Sequence, residues 1–299
     1  MVNDHLRTLR LGCRRIGLAL VVALATTALL VVPGCGGDSG SAVQRDQLIV
    51  ATTTSLSDSG LLEDVVLPAF ARQHPGITVK VVAVGSGEAI AMGGSGEADV
   101  LLVHSPDDEA QFMAEGHGTL RLPFAYNYFV IVGPKEDPAG VSALSSTAAQ
   151  AFAAIAESGA TFVSRGDESG THKKELKIWT AAGATPGGDW YLSTGQGMGE
   201  SLRIASEKQA YTLTDLGTFL AQRASLDLMP LFRQSADLKN VYDVIVVNQN
   251  EFPAVNAAAA EQLAELLVSG AGQRAIGEYG KQQYGKTVFI PFAQSLGAY

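Results

Sequence analysis

Residues 52–55 place four hydroxyl side chains in succession, Thr52, Thr53, Thr54 and Ser55, directly after the apolar run Leu48-Ile49-Val50-Ala51. One hydroxyl is enough to cap a helix; four offer donors beyond what a cap consumes. Two further segments repeat the pattern: Gly85-Ser86-Gly87 after the apolar run 78–84, and Arg165-Gly166-Asp167-Glu168-Ser169-Gly170-Thr171 after residues 161–164. Helix N-termini present unpaired N–H groups and the positive end of the helix dipole, so they attract anions. Hydroxyls add donors, and glycine lets the backbone come close to a ligand. Arg165 adds a fork of donors suited to an oxyanion. An ion pair with Asp167 or Glu168 is its competing use, and both hold if a carboxylate orients the guanidinium. Capping is the plain reading of any one loop. Three such loops at strand ends favour the capture of an anion.

Other chemistries lack their residues. Past residue 35 there is no cysteine, which excludes disulfides, thiolate metal sites and cysteine nucleophiles from that part. His5, His74, His104, His117 and His172 show no metal-ligand spacing, so no bare metal cation is expected. No G-x-S-x-G elbow occurs, and His172 lies three residues from Ser169 without an acid to complete a triad. Gly280-Lys281-Gln282-Gln283-Tyr284-Gly285-Lys286-Thr287 matches a nucleotide loop in letters only. It follows a helix-like stretch and precedes a strand-like one, the reverse of what that motif requires.

The elements that must position these loops alternate. Strands are expected at 48–53, 78–84, 99–103, 128–132, 161–164, 190–193 and 241–247. Helices are expected near 59–73, where Pro68 should produce a kink, after Gly87, from Ser105-Pro106, near 142–157, after Thr171 and near 200–208. The remainder reads as mostly helical. Such alternation predicts an α/β fold of mainly parallel sheets covered by helices, with ligands beyond the carboxyl ends of strands. The apolar strands 128–132 and 241–247 are the candidate crossings. They divide the chain into lobe I, 47–128 with 241–299, and lobe II, 129–240.

The chain has 299 residues and is 46% hydrophobic, enough for about two domains. Its net charge of −9 argues against nucleic acid as a partner and makes any anion site a local arrangement. Arg7, Arg10, Arg14 and Arg15 precede the uncharged run Ile16–Val32, as in a secretory signal peptide over 1–34. A single membrane anchor helix is the alternative reading of that run. Residues 35–46 are a flexible Gly/Ser-rich tether. Cys35, in Val32-Pro33-Gly34-Cys35, resembles the cysteine of a bacterial lipobox. That resemblance implies cleavage before it, lipid on its sulfur and a protein anchored to the outside of the cell membrane.

Four motifs carry a wider resemblance: Thr52-Thr53-Thr54-Ser55, Val84-Gly85-Ser86-Gly87, the segment Ser164 to His172, and Tyr211-Thr212-Leu213-Thr214-Asp215-Leu216-Gly217-Thr218. Together they resemble the tungstate-binding proteins of ABC importers (TupA type), from about Leu48 to beyond Asn248. Leu216 departs from the basic residue usual in the fourth motif. The resemblance implies a two-lobed type II periplasmic binding protein fold with its oxyanion between the lobes. It implies a monomeric carrier for an ABC permease, without catalysis or cofactor. Donors would come from Thr53, Thr54, Ser55 and Ser86 on lobe I, and from Arg165, Ser169, Gly170 and Thr171 on lobe II, with the choice between Thr53 and Thr54 open. Molybdate or another tetrahedral oxyanion would suit the same cage; hydrolysis of a phosphorylated or sulfated compound is the remote alternative. Tungstate is fully deprotonated at neutral pH, so Asp167 and Glu168 should face away from it.

Overall fold

The computed structural model describes residues 46–292 apart from 145, 146 and 234. The signal-like run, the tether and Cys35 lie outside these residues. In chain order the elements are β1 (Gln47–Thr53), α1 (Thr54–Asp58), α2 (Leu67–Gln73), β2 (Thr78–Val84), α3 (Ser86–Gly94), β3 (Val100–Val103), α4 (Pro106–Ala114) and β4 (Gly118–Gly133). Then come α5 (Ala148–Ser158), β5 (Phe162–Ser164), α6 (Gly170–Ala181), β6 (Tyr191–Ser193), α7 (Met198–Glu207), β7 (Tyr211–Asp215), α8 (Leu216–Gln222), β8 (Met229–Arg233) and β9 (Lys239–Val247). The described chain closes with α9 (Ala257–Val268), α10 (Gly270–Glu278), α11 (Lys281–Tyr284) and β10 (Ile290–Pro291). No helix among the described residues is long and apolar enough to cross a membrane.

These strands form a ten-stranded sheet in the order β2-β1-β3-β9-β4-β7-β5-β6, with β8 and β10 paired to β4. β1 runs parallel to β2 and β3, and β5 runs parallel to β6 and β7. Between these two parallel groups the pairings are antiparallel. The sheet is therefore mixed, and β4, which pairs with β9 on one side and with β7 and β8 on the other, joins one group to the other. β4 spans 16 residues: its first part pairs with β9, and Phe129–Val132 pair with β7. The expected strand 128–132 is only the end of β4. Gly118 and Pro123 obscured the beginning, and the structure accommodates both at shifts in register.

The expected helix over 59–73 is also divided. Leu62–Val66 form a π-turn in which Leu67 N–H reaches Leu62 O, and Pro68 sits in the first turn of α2. The wide turn places the proline ring where no N–H is required. β7, α8 and β8 extend the observed pattern over 211–233, where no elements were anticipated.

The largest apolar cluster is continuous between the two parallel groups. Leu48, Val50 and Val100 on one side join Val130, Val163, Met198, Leu202 and Phe219 on the other. Leu56 of α1 belongs to it, and α1 packs against both α7 and α8. Two further clusters are local, one around Phe152, Phe162 and Trp179, the other around Ala51, Leu101 and Ile245.

Candidate anion site

The hydroxyl run does not alternate along a strand end. β1 stops at Thr53, and the chain turns at once into the short α1, which separates the four side chains by task. Thr52 Oγ1 donates to Leu102 O at 3.0 Å and joins β1 to β3. Thr53 is the N-cap: its Oγ1 accepts from Leu56 N at 3.2 Å and lies 3.1 Å from Ser55 Oγ. Ser55 Oγ lies 3.0 Å from His104 Nε2. Thr54 faces the opposite group of elements. Its Oγ1 accepts from Arg165 Nη2 at 3.1 Å and from Met198 N at 3.5 Å, which leaves its own proton free to donate outward.

The second wall is built at the end of β5. Gly166 has φ +61°, and a Cβ there would lie 1.7 Å from Ser193 Oγ. Glu168 also lies at positive φ, +57°. This turn draws Arg165 inward to 2% exposure. Arg165 Nη2 is held by Thr54 and by Asp167 Oδ2 at 2.5 Å. Its Nε and Nη1 are buried with no hydrogen-bond partner among the described residues. Asp167 turns its carboxylate to Arg165 and to Ser169, whose Oγ donates to Oδ1 at 2.6 Å. Ser169 is the N-cap of α6 and accepts from His172 N. Glu168 projects outward, with its side chain 78% exposed.

Thr171 is buried, and its Oγ1 has no partner either. Gly170, the first residue of α6, donates its N–H to buried Ser86 Oγ at 3.2 Å. That contact depends on glycine: a Cβ at Gly170 would lie 2.8 Å from Ser86 Oγ and 3.1 Å from His104 O. The structure thus brings Thr53, Thr54, Ser55, Ser86, Arg165, Ser169, Gly170 and Thr171 into one neighbourhood, although Thr53, Ser55 and Ser169 use their hydroxyls within the protein.

Several residues of this neighbourhood were not anticipated. His104 follows β3 and is almost fully buried; burial, and then Arg165, push its pKa down to about 4, with Asn240 opposing. Its Nδ1 lies 2.9 Å from Asn240 Oδ1. Asp58 Oδ2 accepts from Gly199 N in the first turn of α7. Burial raises the Asp58 pKa, while Gly199 and Arg165 oppose the shift. α7 itself was expected near 200–208; its place beside the site was not, although the Gly195–Gly199 stretch has the same glycine-before-helix pattern as the other loops. A cavity of about 140 Å³ adjoins His104 and Gly170 on the side of Lys173, Lys174 and Lys239. No group of three or more His, Cys, Asp or Glu among the described residues is placed to hold a metal ion.

Buried donors in excess of acceptors define a site for an electron-rich ligand. Comparison with known proteins gives that geometry a family. The model of the PBP superfamily domain matches residues 37–271. The chain belongs to the PBP superfamily. The tungstate-binding protein TupA of Peptoclostridium acidaminophilum is 46% identical over 275 residues, 92% of this chain and 96% of the relative. A crystal structure described as the tungstate ABC transporter from Geobacter sulfurreducens is 45% identical with a TM-score of 0.72, covering 78% of this chain and 98% of that one. The tungstate-binding protein TupA from Desulfovibrio alaskensis is 41% identical with a TM-score of 0.69, covering 82% and 98%. In this PBP superfamily member the polar turns gathered at the candidate site are those after β1, β2 and β5, joined by that after β6.

Proposed function

We propose that the chain is the extracytoplasmic tungstate-binding component of an ABC transporter. Its similarity to proteins described as binding tungstate supports the ligand. Within the protein, the observation that carries the reading is the set of buried donors without partners, Arg165 Nε and Nη1 and Thr171 Oγ1. With the free protons of Thr54 and Ser86 they form a cage that donates and offers no ionised acceptor. A fully deprotonated tetrahedral dianion matches such a cage; hydrogen phosphate brings a proton that would have no acceptor.

Direct contacts are assigned to Thr54, Ser86, Arg165 and Thr171, with Gly170 allowing the close approach of α6. Thr53, Ser55 and Ser169 brace these donors. Nanomolar binding is about −12 kcal/mol, association costs roughly 4 kcal/mol or more, and charge-assisted bonds contribute about 1.5–3 kcal/mol each. On the order of seven bonds are then required, more than either wall supplies alone. Residues 47–128 with 241–299 therefore act as one lobe and 129–240 as the other, closing about β4 and β9. The protein works as a monomer that hands tungstate to a membrane permease and is held at the cell surface by lipid on Cys35.

Calorimetry on the mature protein tests the function. Tungstate should bind at one site per chain, with sulfate and phosphate far weaker. Absence of tungstate binding refutes the reading. Tighter binding of molybdate than of tungstate would reassign the ligand within the same cage.

A further inference from the structure

Behind the cleft wall runs a chain of buried polar side chains whose hydrogens have a single consistent direction. It ends at Asp215, the N-cap of α8, which accepts from Thr218 N at 3.0 Å and from Thr218 Oγ1 at 2.6 Å. An ionised carboxylate only accepts. The side chain of Asn127, 3.5 Å away, must therefore present its amide nitrogen. Asn127 Oδ1 then accepts from Asn240 Nδ2 at 3.0 Å, so Asn240 Oδ1 faces His104 Nδ1 at 2.9 Å. That nitrogen must carry the proton. A neutral imidazole has only one, which leaves Nε2 as an acceptor 3.0 Å from Ser55 Oγ. The Ser55 hydroxyl donates to it and in turn accepts from Thr53 Oγ1 at 3.1 Å. Burial and the nearby Arg165 keep the imidazole neutral.

We infer that His104 is the positioning residue of this site: its Nε2 accepts the hydrogen bond of the Ser55 hydroxyl, making Ser55 a brace for Thr54 instead of a ligand donor, and its Nδ1 anchors that brace to β4 and β9 through Asn127 and Asn240. Asn127 belongs to β4 and Asn240 to β9, the strands about which the lobes are proposed to close. The ring is held in place by packing, with its centroid 4.9 Å from that of Tyr242 and 6.0 Å from that of Phe129. One side chain thus relates the position of the α1 turn to the strands beneath the cleft. This inference rests on the anion-binding reading only for its effect on affinity; the tautomer is a property of the protein alone.

The test accordingly has two arms. Nitrogen-15 NMR of the wild-type imidazole, without ligand, should show His104 protonated at Nδ1 and bare at Nε2. The opposite tautomer overturns the inference even if tungstate does not bind. In the second arm, tungstate affinity is measured for H104N, H104Q, S55A and the H104N/S55A double variant. Asn can replace the Nδ1 contact and Gln the Nε2 contact. H104N should weaken binding roughly tenfold, the equivalent of one buried hydrogen bond. H104Q should recover most of the loss, and H104N should add nothing once Ser55 is alanine. An equal penalty with and without the Ser55 hydroxyl overturns the inference. Wild-type protein that binds no tungstate rejects the proposed function and leaves the NMR result to decide on His104.

Discussion

Arg165 is 2% exposed, yet two of its donor nitrogens find no partner among the described residues. Leaving a buried donor unsatisfied costs about 1–3 kcal/mol, more when the group is charged, so a ligand that supplies the acceptor recovers a large free energy. Arg165→Ala should weaken tungstate binding at least about tenfold in calorimetry, since a charge-assisted bond is lost. Unchanged affinity would remove Arg165 from the site.

His104 makes a separate prediction about pH. Its folded-state pKa lies near 4, below the ordinary value of 6.5, so the folded protein binds fewer protons there than the unfolded chain. The resulting stability is complete above about pH 6.5 and is lost as pH falls toward 4. The loss should be about 2 kcal/mol between pH 6.5 and pH 5. Glu109, Glu175 and Asp215, raised mainly by burial, act in the opposite sense and complicate the wild-type profile. Comparison with H104Q by urea denaturation isolates the histidine: the variant should lose less stability on acidification. Equal losses would place His104 in a more hydrated setting. At this scale the sequence showed which hydroxyls gather, because they are consecutive. It could not show that Thr53 caps while Thr54 faces Arg165, since that division depends on where β1 ends.

At the scale of elements, the site is a meeting of helix starts, and Gly170 sets how closely two of them approach. An added methyl would meet Ser86 Oγ at 2.8 Å and the His104 carbonyl at 3.1 Å. Overpacking of this kind costs about 1–3 kcal/mol. Gly170→Ala should therefore weaken tungstate binding by about fivefold or more while circular dichroism stays native, because alanine suits the helix itself. Wild-type affinity would mean that the two turns need not touch when the anion is bound. The loops after β1, β2 and β5 were legible from sequence because an apolar run, a polar turn and a helix follow one another locally. The His104–Asn240 contact joins residues 136 positions apart, and neither asparagine sits in a recognisable motif. Only the register of β4 with β9 brings Asn127 opposite Asn240.

For the whole molecule, the sequence indicated the alternating fold and the strands that became β4 and β9, although it located β4 ten residues late. It gave no sign that the apolar interior runs unbroken beneath the cleft, from Leu48 and Leu56 to Met198 and Phe219. Such continuity depends on α1 packing against α7 and α8, elements far apart in the chain.

That shared interior bears on how the protein melts. Trp179 and Trp190 are its two tryptophans, and both lie within 129–240, so their fluorescence follows one half alone, whereas circular dichroism follows both. Independent halves would give two denaturation midpoints; a common hydrophobic seam couples them into one cooperative transition. The two signals should therefore trace coincident curves in urea. A carrier assembled in this way loses both jaws together, and neither jaw should survive as a stable fragment when the other is cut away.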